Sequence, residues 1–312
     1  MIQSKLSFHP AKGGSTMPIT PKLLNKNTHL NIWTWNINCI KKKSKLVKDL
    51  LIKHDIDILF ITESKIQPKD ECFVFDNYKI IYNSNKTSYY HGVMFIYKNH
   101  LNITLLNTIL PHYDHDIVIN DTKNHQVIKQ HLPSIDIDIS KGHHTEGRLL
   151  VIECDKIKIV GTYVPNSGVN KQDPFKRLAY RTLAWDKDLY HYLNSLDGHV
   201  IWLGDLNVTI KDNDLPYKAN IAGTTMEERD NIKEFMMDWI DTWDIKNDIK
   251  KPCLRATWGV HGRFPLRLDY VICNKGLNNH ILSSTVDQSF SGSDHVPVGT
   301  KFEFKNDLHK IS

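Results

Sequence analysis

The sequence has no long hydrophobic run. No stretch approaches the roughly 18 uninterrupted apolar residues that a membrane-spanning helix needs, and nothing near the start resembles the apolar centre of a secretion signal. Apolar residues still make up 40% of the 312 residues, which is enough to bury one large core. We therefore expect a globular protein with no membrane partner.

Cysteine is also scarce. The five cysteines are odd in number and widely scattered, which excludes a disulfide framework and a cysteine-rich zinc site. We expect buried thiols in a reducing, intracellular compartment, with nucleus or cytoplasm left undecided. The cysteines are Cys39, Cys72, Cys154, Cys253 and Cys273.

Acidic residues are absent from the first 48 positions, which contain nine lysines and no arginine. The lack of arginine argues against a mitochondrial presequence. Residues 1–28 show no sustained periodicity, so we predict a flexible basic arm there. The net charge of the whole chain is a mild +5. The arm could add affinity for phosphates, or it could be a solvated tail with no role.

The most informative stretch is residues 199–207, His-Val-Ile-Trp-Leu-Gly-Asp-Leu-Asn. Its apolar run predicts a strand buried on both faces, which ends at Gly204. Asp205 and Asn207 follow, and residues two apart in an extended chain project to the same side. The pattern predicts a carboxylate and an amide together at a strand end, although an Asx-rich turn would also explain them.

Two earlier predicted strands end in similar residues. Residues 31–38 finish in Asn36 and Asn38, and residues 57–63 finish in Glu63. A single Glu after a strand is usually a solvated loop residue, so the prediction depends on the repetition. Carboxylates and amides at the same end of neighbouring strands would form an oxygen-lined mouth suited to one or two Mg²⁺ ions, with Mn²⁺ as a substitute.

The rest of the chain alternates strands and helices. Helices are predicted at 41–54 and 175–196, and a capping box of Thr225 and Glu228 begins a third that runs to about Ile240. Residues 250–257 are predicted as loop and short strand. Further strands are predicted at 78–82, 93–97, 149–154, 157–164 and 267–273, with a last one ending at 304. These elements predict sheets sandwiched between helices.

Residues 101–147 interrupt this pattern with six histidines among many aspartates, at spacings that match no metal-binding motif. A secondary metal site is one interpretation, and a polar surface insertion is the better one. The histidines are His112, His115, His125, His131, His143 and His144.

Eight short motifs occur in order along the chain. They are Asn-Ile-Asn ending at 38, Ile-Thr-Glu-Ser-Lys at 65, Glu-Gly-Arg at 148, Tyr-Val-Pro-Asn-Ser-Gly at 168, Gly-Asp-Leu-Asn at 207, Ala-Gly-Thr-Thr-Met-Glu-Glu-Arg at 229, Arg-Leu-Asp-Tyr at 270 and Gly-Ser-Asp-His-Val-Pro at 297. Over roughly residues 30–304 their order resembles the exonuclease III-type apurinic/apyrimidinic endonucleases of the endonuclease/exonuclease/phosphatase superfamily. Arg-Leu-Ala-Tyr-Arg ending at 181 also looks like the DNA-repair branch.

The resemblance implies an α/β fold, a DNase I-like four-layer α/β-sandwich of two mixed β-sheets flanked by helices. It implies a catalytic domain at 29–305, with the insertion at 101–147, and a tail at 306–312. The implied activity is Mg²⁺-dependent cleavage of double-stranded DNA 5′ to an abasic site, leaving a 3′-hydroxyl and a 5′-deoxyribose phosphate. Exonuclease activity in the 3′–5′ direction and 3′-phosphodiesterase activity are further options. We expect a monomer whose product passes to DNA polymerase and ligase.

The matching motifs also imply roles for individual residues. Glu63 would be the main metal ligand, helped by Asn38 and Asp294. Asp205 would be the general base, Asn207 would orient the attacking water or the phosphate, and His295, paired with Asp269, would bind the phosphate. The implied catalytic set is Tyr163, Asp205, Asn207, Asp269 and His295. The implied metal set is Asn38, Glu63, Asp205, Asn207, Asp294 and His295. The implied DNA contacts are Asn36, Lys65, Arg148, Asn166, Trp258, Leu266 and Leu268.

This set suits the chemistry, because a phosphodiester repels nucleophiles and needs an oriented water, a base and positive charge on its oxygens. Two departures from the family pattern concern DNA distortion: the connection at 259–266 is short, and residues 169–170 lack an arginine. The pocket for a baseless sugar would be walled by Trp258, Leu266 and Leu268. Alternatives are a retrotransposon-type nicking endonuclease or a phosphatase of the same superfamily, and a non-catalytic DNA-binding protein.

Overall fold

The computed structural model describes residues 28–70, 73–86, 88–113, 117–121, 126–130, 141–168, 175–215, 221–247, 252–260 and 265–304. The predicted arm up to residue 27, the whole predicted tail at 306–312, and His115, His125 and His131 lie outside the described residues. In the part of the chain that is described, no helix has the length and apolar character needed to cross a membrane.

The described residues form fourteen strands and five α-helices. The strands are β1 Thr28–Asn36, β2 Ile58–Thr62, β3 Tyr78–Asn83, β4 Val93–Lys98, β5 Ile103–Asn107, β6 Ile117–Asp121, β7 Gln126–Gln130, β8 Leu149–Cys154, β9 Ile157–Tyr163, β10 His199–Asp205, β11 Trp239–Asp241, β12 Asp269–Asn274, β13 Ile281–Val286 and β14 Val298–Phe304. The helices are α1 Ser44–His54, α2 Asp186–Ser195, α3 Met226–Phe235, α4 Thr242–Lys246 and α5 Pro252–Arg255.

The strands form two six-stranded sheets. The first has the order β13-β14-β1-β2-β4-β3 and the second has the order β11-β12-β10-β9-β8-β5, while β6 and β7 form a separate hairpin. Each sheet has one parallel pair near its centre, β1 with β2 and β9 with β10, and its other pairs are antiparallel. Parallel strands end at the same edge, so each sheet brings two carboxyl ends together.

Three apolar clusters fill the spaces between four layers. One lies between the sheets and includes Phe60 and Leu203. A second, around Trp202, joins the second sheet to α2 and α3. A third, around Trp35, joins the first sheet to α1. This arrangement confirms the predicted four-layer sandwich of two mixed sheets flanked by helices.

Several predicted elements differ in the structure. The helix predicted at 175–196 is π-helical over Tyr180–Trp185 and α-helical over Asp186–Ser195. The third helix ends at Phe235 rather than near Ile240, because Trp239–Asp241 pairs antiparallel with β12. Residues 252–255 are helical rather than loop and strand. The predicted capping box of Thr225 and Glu228 is present.

The two ends of the 101–147 segment are part of the folded domain. Ile103–Asn107 is an edge strand paired with β8, and Leu110 is fully buried against the second sheet. His143, near the end of the segment, is also buried. Both ends of this segment therefore contribute to the fold of the second sheet, and the interpretation of the segment as a polar surface insertion stays a prediction.

Candidate active site

The predicted oxygen-rich residues gather where the parallel pairs end. Asn36, the last residue of β1, is in register with Thr62 of β2, which precedes Glu63. In the second sheet Asp205 is in register with Tyr163 on one side and with Asp269 on the other. The two edges face each other, since Asn36 Nδ2 donates to Asp205 Oδ2 over 2.9 Å and to Glu63 Oε1 over 3.1 Å.

The turns after these strands have an unusual backbone. Asn38, Glu63, Lys65 and Asn207 have φ angles of 47°, 50°, 52° and 47°, a left-handed conformation that is uncommon outside glycine. Gly204 has φ 140°, and a Cβ there would lie 1.9 Å from the carbonyl oxygen of Thr162. Only glycine allows β9 and β10 to approach this closely just before Asp205.

Glu63 is held as an anion by three donors. Its Oε1 accepts from Asn36 and, over 2.8 Å, from the hydroxyl of Tyr163, while Oε2 lies 2.9 Å from Lys65 Nζ. Burial would raise the pKa of Glu63, but the hydrogen bonds from these donors lower it to about 2. The carboxylate is thus charged at any working pH.

Asn38 and Asp294 form the outer rim beside Glu63. Both side chains are exposed, and Asn38 Nδ2 lies 3.5 Å from Asp294 Oδ1. The ammonium of Lys65 bridges the inner and outer groups, because it lies 2.9 Å from Glu63 and donates to Asn38 Oδ1 over 2.7 Å. A cation is therefore already accommodated by two of the predicted metal ligands, and their carboxylate and amide oxygens suit a hard divalent ion. The residues fit Mg²⁺.

Asp205 lies deeper, between the sheets. Its Oδ1 accepts from the backbone N–H of Asn207 over 3.0 Å, and its Oδ2 accepts from Asn36. Burial raises the pKa of Asp205 to about 7, although the neighbouring His295 opposes the rise. The carboxyl group can therefore exchange a proton near neutral pH, which is the property of a general base.

His295 stands between two carboxylates. Its Nδ1 lies 2.7 Å from Asp269 Oδ2, and its Nε2 lies 3.8 Å from Asp205 Oδ2. Burial lowers the pKa of His295, but the two carboxylates, Asp269 first, raise it to about 10. The imidazole is accordingly a buried cation whose free nitrogen faces Asp205.

A buried arginine joins the two turns next to Asp205. Arg181 donates to the carbonyl oxygens of Pro165, before Asn166, and of Leu206, before Asn207. Its Nε donates to Asp186, which lies five residues later in the chain. The segment between them is a π-helical turn, in which residues five positions apart lie on the same side. The turns meet where Asn166 Nδ2 donates to Asn207 Oδ1 over 3.1 Å, so Arg181 aligns two predicted site residues.

Three residues predicted to contact DNA have side chains that are buried in the protein. Arg148 is buried, donates to the carbonyl oxygen of Tyr163 and packs over its ring. Leu266 is buried, and its backbone pairs with that of Trp258. Asn36 is buried between two carboxylates. In the absence of DNA these three side chains support neighbouring residues of the site, and their contact with DNA stays a prediction.

The other predicted contacts lie nearer the opening. Asn166 is exposed, Lys65 and Trp258 are half-buried, and Leu268 is buried with its edge beside Gly223. Trp258 Nε1 donates to Asp294 Oδ2 over 3.2 Å, which fixes the indole at the rim. A wall formed by Trp258 and Leu268 stays a prediction.

Sequence reasoning missed several supporting residues. Thr257 Oγ1 accepts from the backbone N–H of Asp269, Trp35 Nε1 donates to the carbonyl oxygen of His295, and Ser293 Oγ donates to that of Asn36. Such side chain to backbone bonds cross between distant segments. The signals in the sequence were that Ser293 lies within the Gly-Ser-Asp-His-Val-Pro motif and that Thr257 precedes Trp258.

Comparisons with known proteins agree with this geometry. A sequence model of the Endonuclease/Exonuclease/phosphatase family matches residues 33–295. A DNA-(apurinic or apyrimidinic site) endonuclease from Dictyostelium discoideum is 29% identical over 293 residues, covering 88% of this chain and 71% of that protein. An exodeoxyribonuclease from Bacillus subtilis (strain 168) is 25% identical over 283 residues, covering 86% and 98%.

The crystal structure of an AP endonuclease from Leishmania major shares the fold, with a TM-score of 0.66, 22% identity and 88% coverage of each chain. These matches confirm the resemblance to the AP endonucleases that the ordered motifs predict. Because the family match spans most of the chain, this protein belongs to the Endonuclease/Exonuclease/phosphatase family.

Proposed function

We propose that the protein is a divalent-metal-dependent endonuclease that hydrolyses the DNA phosphodiester on the 5′ side of an abasic site. The observation that carries the proposal is the row formed by Glu63, Asn36, Asp205 and His295, in which successive groups are 2.9 to 3.8 Å apart. It places an anionic ligand, a base that titrates near neutrality and a cationic imidazole at one mouth.

Asp205 takes the proton of the attacking water in this proposal. The N–H of Asn207 and the amide of Asn36 hold both carboxylate oxygens, so the base needs little reorganisation when it accepts the proton. Asn207 is itself anchored by the carbonyl oxygen of Val164, 2.8 Å from its Nδ2. A fixed base and an oriented water supply much of the rate enhancement expected of hydrolysis.

His295 stabilises the negative charge that develops on the phosphate. Asp269 holds its Nδ1, so the Nε2–H is available to donate to a non-bridging oxygen. Tyr163 keeps its proton, because burial raises the pKa of its hydroxyl well above 10, and it acts as a donor to Glu63 or to the phosphate. Asn166, exposed beside Asn207, contacts the same phosphate.

Glu63, Asn38 and Asp294 would hold Mg²⁺. When bound, the ion supplies positive charge to the phosphate and stabilises the leaving oxygen. The ammonium of Lys65 lies between Glu63 and Asn38, and it would be available to pair with a DNA phosphate if an ion took its place. The P–O3′ bond breaks, the leaving 3′ oxygen takes a proton from solvent to become a 3′-hydroxyl on the upstream fragment, and the downstream fragment keeps the 5′-deoxyribose phosphate.

Specificity for abasic sites is supported by the name of the Dictyostelium relative and by the half-buried indole of Trp258 at the rim. The Bacillus relative is named an exodeoxyribonuclease, which favours a second activity at 3′ ends. A flipped sugar without its base needs a narrow, apolar pocket, and in this proposal Trp258 and Leu268 would form its wall.

The test uses purified protein with Mg²⁺ on labelled duplexes that carry a tetrahydrofuran abasic analogue, with the intact duplex as control. We expect one cut 5′ to the analogue, a product that DNA polymerase extends without further processing, and no cleavage in EDTA. A parallel duplex with a 3′-phosphate measures 3′ repair.

Other outcomes would overturn the proposal. Equal nicking of the intact duplex would indicate a retrotransposon-type endonuclease. Hydrolysis of phosphomonoesters alone would indicate a phosphatase, and binding without cleavage by folded protein would indicate a DNA-binding protein. Products that polymerase cannot extend would contradict the proposed 3′-hydroxyl.

A further inference from the structure

A second histidine–aspartate cluster shares no residue with the catalytic mouth formed by Asn36, Glu63, Asp205 and His295, and it packs on the α2 side of the second sheet. It combines His112, which follows β5, His143, in the turn Lys141–Thr145 before β8, and Asp188, in the first turn of α2. His143 packs against Trp185, with ring centroids 5.2 Å apart. The cluster thus joins both ends of the 101–147 segment to a core helix.

The three side chains converge on one point. Asp188 Oδ2 lies 2.8 Å from His112 Nδ1 and 2.9 Å from His143 Nε2. One ligand atom from each residue lies within 4.8 Å of the other two. Ligand atoms around a tetrahedral zinc ion lie roughly 3.3 Å apart, so a small outward movement of each group would accommodate an ion.

A second layer of contacts orients the cluster. The hydroxyl of Tyr180 lies 3.2 Å from His143 Nδ1, and the backbone N–H of Tyr113 donates to Asp188 Oδ1 over 2.9 Å. The side chains of His143 and Asp188 have no exposed surface, whereas that of His112 is 38% exposed. Metal-binding histidines commonly have such a partner on the second ring nitrogen.

We propose that His112, His143 and Asp188 bind a zinc-class transition-metal ion. Two imidazoles and one carboxylate suit Zn²⁺ or Co²⁺ rather than Mg²⁺, which prefers oxygen ligands and retains its waters. The three ligands leave a coordination position for water or another donor. The ion would fasten the ends of the 101–147 segment to α2, so its effect is on stability rather than on the chemical step.

The cluster is also a complete hydrogen-bonded network without an ion, because both imidazoles can donate to Asp188 Oδ2. The experiment therefore measures metal directly. Full-length protein is stripped with a chelator and titrated with Co²⁺ in excess Mg²⁺, which occupies the oxygen-rich catalytic site. Four-coordinate Co²⁺ with nitrogen ligands gives strong visible absorption, whereas octahedral Co²⁺ with oxygen ligands absorbs weakly.

The variant His112→Ala removes the exposed ligand and should leave the fold intact. His144→Ala is the matched control, because His144 is the exposed neighbour of His143. We expect one equivalent of strongly absorbing Co²⁺, displaced by Zn²⁺, in the wild type and in His144→Ala. His112→Ala should bind at least about 10-fold more weakly.

Thermal unfolding provides the second measurement. Zn²⁺ at about 100 times its Kd should raise the Tm of the wild type and of His144→Ala by roughly 5 °C, but not that of His112→Ala. The proposal is overturned if the wild type gives no intense Co²⁺ spectrum, or if His112→Ala binds as tightly as the control. Either result would assign the cluster to hydrogen bonding alone.

Discussion

The catalytic mouth and the His112–His143–Asp188 cluster both contain a buried aspartate bound to an imidazole. The pair is 2.7 Å apart in His295–Asp269 and 2.9 Å apart in His143–Asp188. At the mouth, the second nitrogen of His295 faces another carboxylate, Asp205. In the cluster, the second nitrogen of His143 faces the hydroxyl of Tyr180.

The surroundings therefore decide what the same pair can do. Carboxylates on both sides of His295 favour its cationic form, and the strand ends lead to an exposed rim of Asn38, Asp294 and Asn166. Around His143 the neighbours are aromatic, and Asp188 is enclosed. The first region suits the proposed hydrolysis of a phosphodiester, and the second suits the proposed structural metal site.

The largest expected effect separates the two regions directly. Asp205→Asn keeps a side chain of similar shape but cannot take up a proton, so turnover on abasic DNA should fall on the order of 10²-fold or more. His112→Ala should leave turnover nearly unchanged. Steady-state kinetics on both variants, with DNA affinity measured in parallel, makes the comparison. Normal turnover by Asp205→Asn would place the base elsewhere.

The Mg²⁺ requirement should also differ between variants of the two regions. Glu63→Gln still accepts hydrogen bonds but loses the charge that would hold Mg²⁺, so half-maximal activity should require roughly 10- to 100-fold more Mg²⁺. His112→Ala serves as the control, and its Mg²⁺ curve should overlay that of the wild type. The assignment of Glu63 would be lost if its variant showed the wild-type Mg²⁺ requirement.

The pH dependence tests the electrostatics of the mouth. Burial raises the pKa of Asp205 to about 7, so the carboxyl is protonated, and inactive as a base, below that pH. The pKa of His295 is about 10, so its positive charge is lost above that pH. We expect kcat/KM to rise about tenfold per pH unit below 7, level off, and fall as pH approaches 10.

Asp269→Asn is the matched variant for this profile. Asp269 is the first of the carboxylates that raise the pKa of His295, so its loss should move the alkaline limb to lower pH. His112→Ala should keep both limbs in place. An acid limb that stays well below pH 6 would remove the support for Asp205 as the titrating base.

The sequence predicted the central strands and the strand-end residues because long apolar runs and punctuating polar residues have a local pattern. It missed the edge strands β5, β11 and β13, and also β6 and β7, which form the separate hairpin. Trp239–Asp241 has only three residues, and Ile281–Val286 contains two serines and a threonine, so neither shows a strong apolar period. Edge pairing is decided by the neighbouring strand.

The sequence also did not predict which way side chains point or which distant residues come together in the fold. The motif around Arg148 gave its position but not that the guanidinium points inward to Tyr163. His112 and Asp188 are 76 positions apart, and His143 is 45 positions from Asp188, so no spacing rule could unite them. The fold brings these residues together through β8 and α2.

The smallest effect on turnover is expected from the basic residues outside the mouth. Removing residues 1–27 deletes four lysines and no acid, and leaves Thr28, which begins β1, in place. If the arm contacts DNA, each lysine lost flattens the plot of log K against log salt by roughly 0.9, so the slope should change by up to about 3 to 4. Turnover at saturating DNA should stay nearly constant. Salt-titrated binding to an abasic duplex measures this.

Replacing one exposed lysine that follows β1 measures how much a single phosphate contact changes the salt slope. The run at 41–43 follows the end of β1, but Lys41 pairs with Asp70 over 2.8 Å and Lys43 donates to the carbonyl oxygens of Ile37 and Asn38. Replacing all three would disturb the turn that carries Asn38, so the cleaner change is Lys42→Ala, whose side chain is exposed. We expect a slope change of about 0.9 if it meets one phosphate. A truncated protein with the wild-type slope, beside a Lys42→Ala variant that shifts it, would show that binding depends on the mouth and not on the arm.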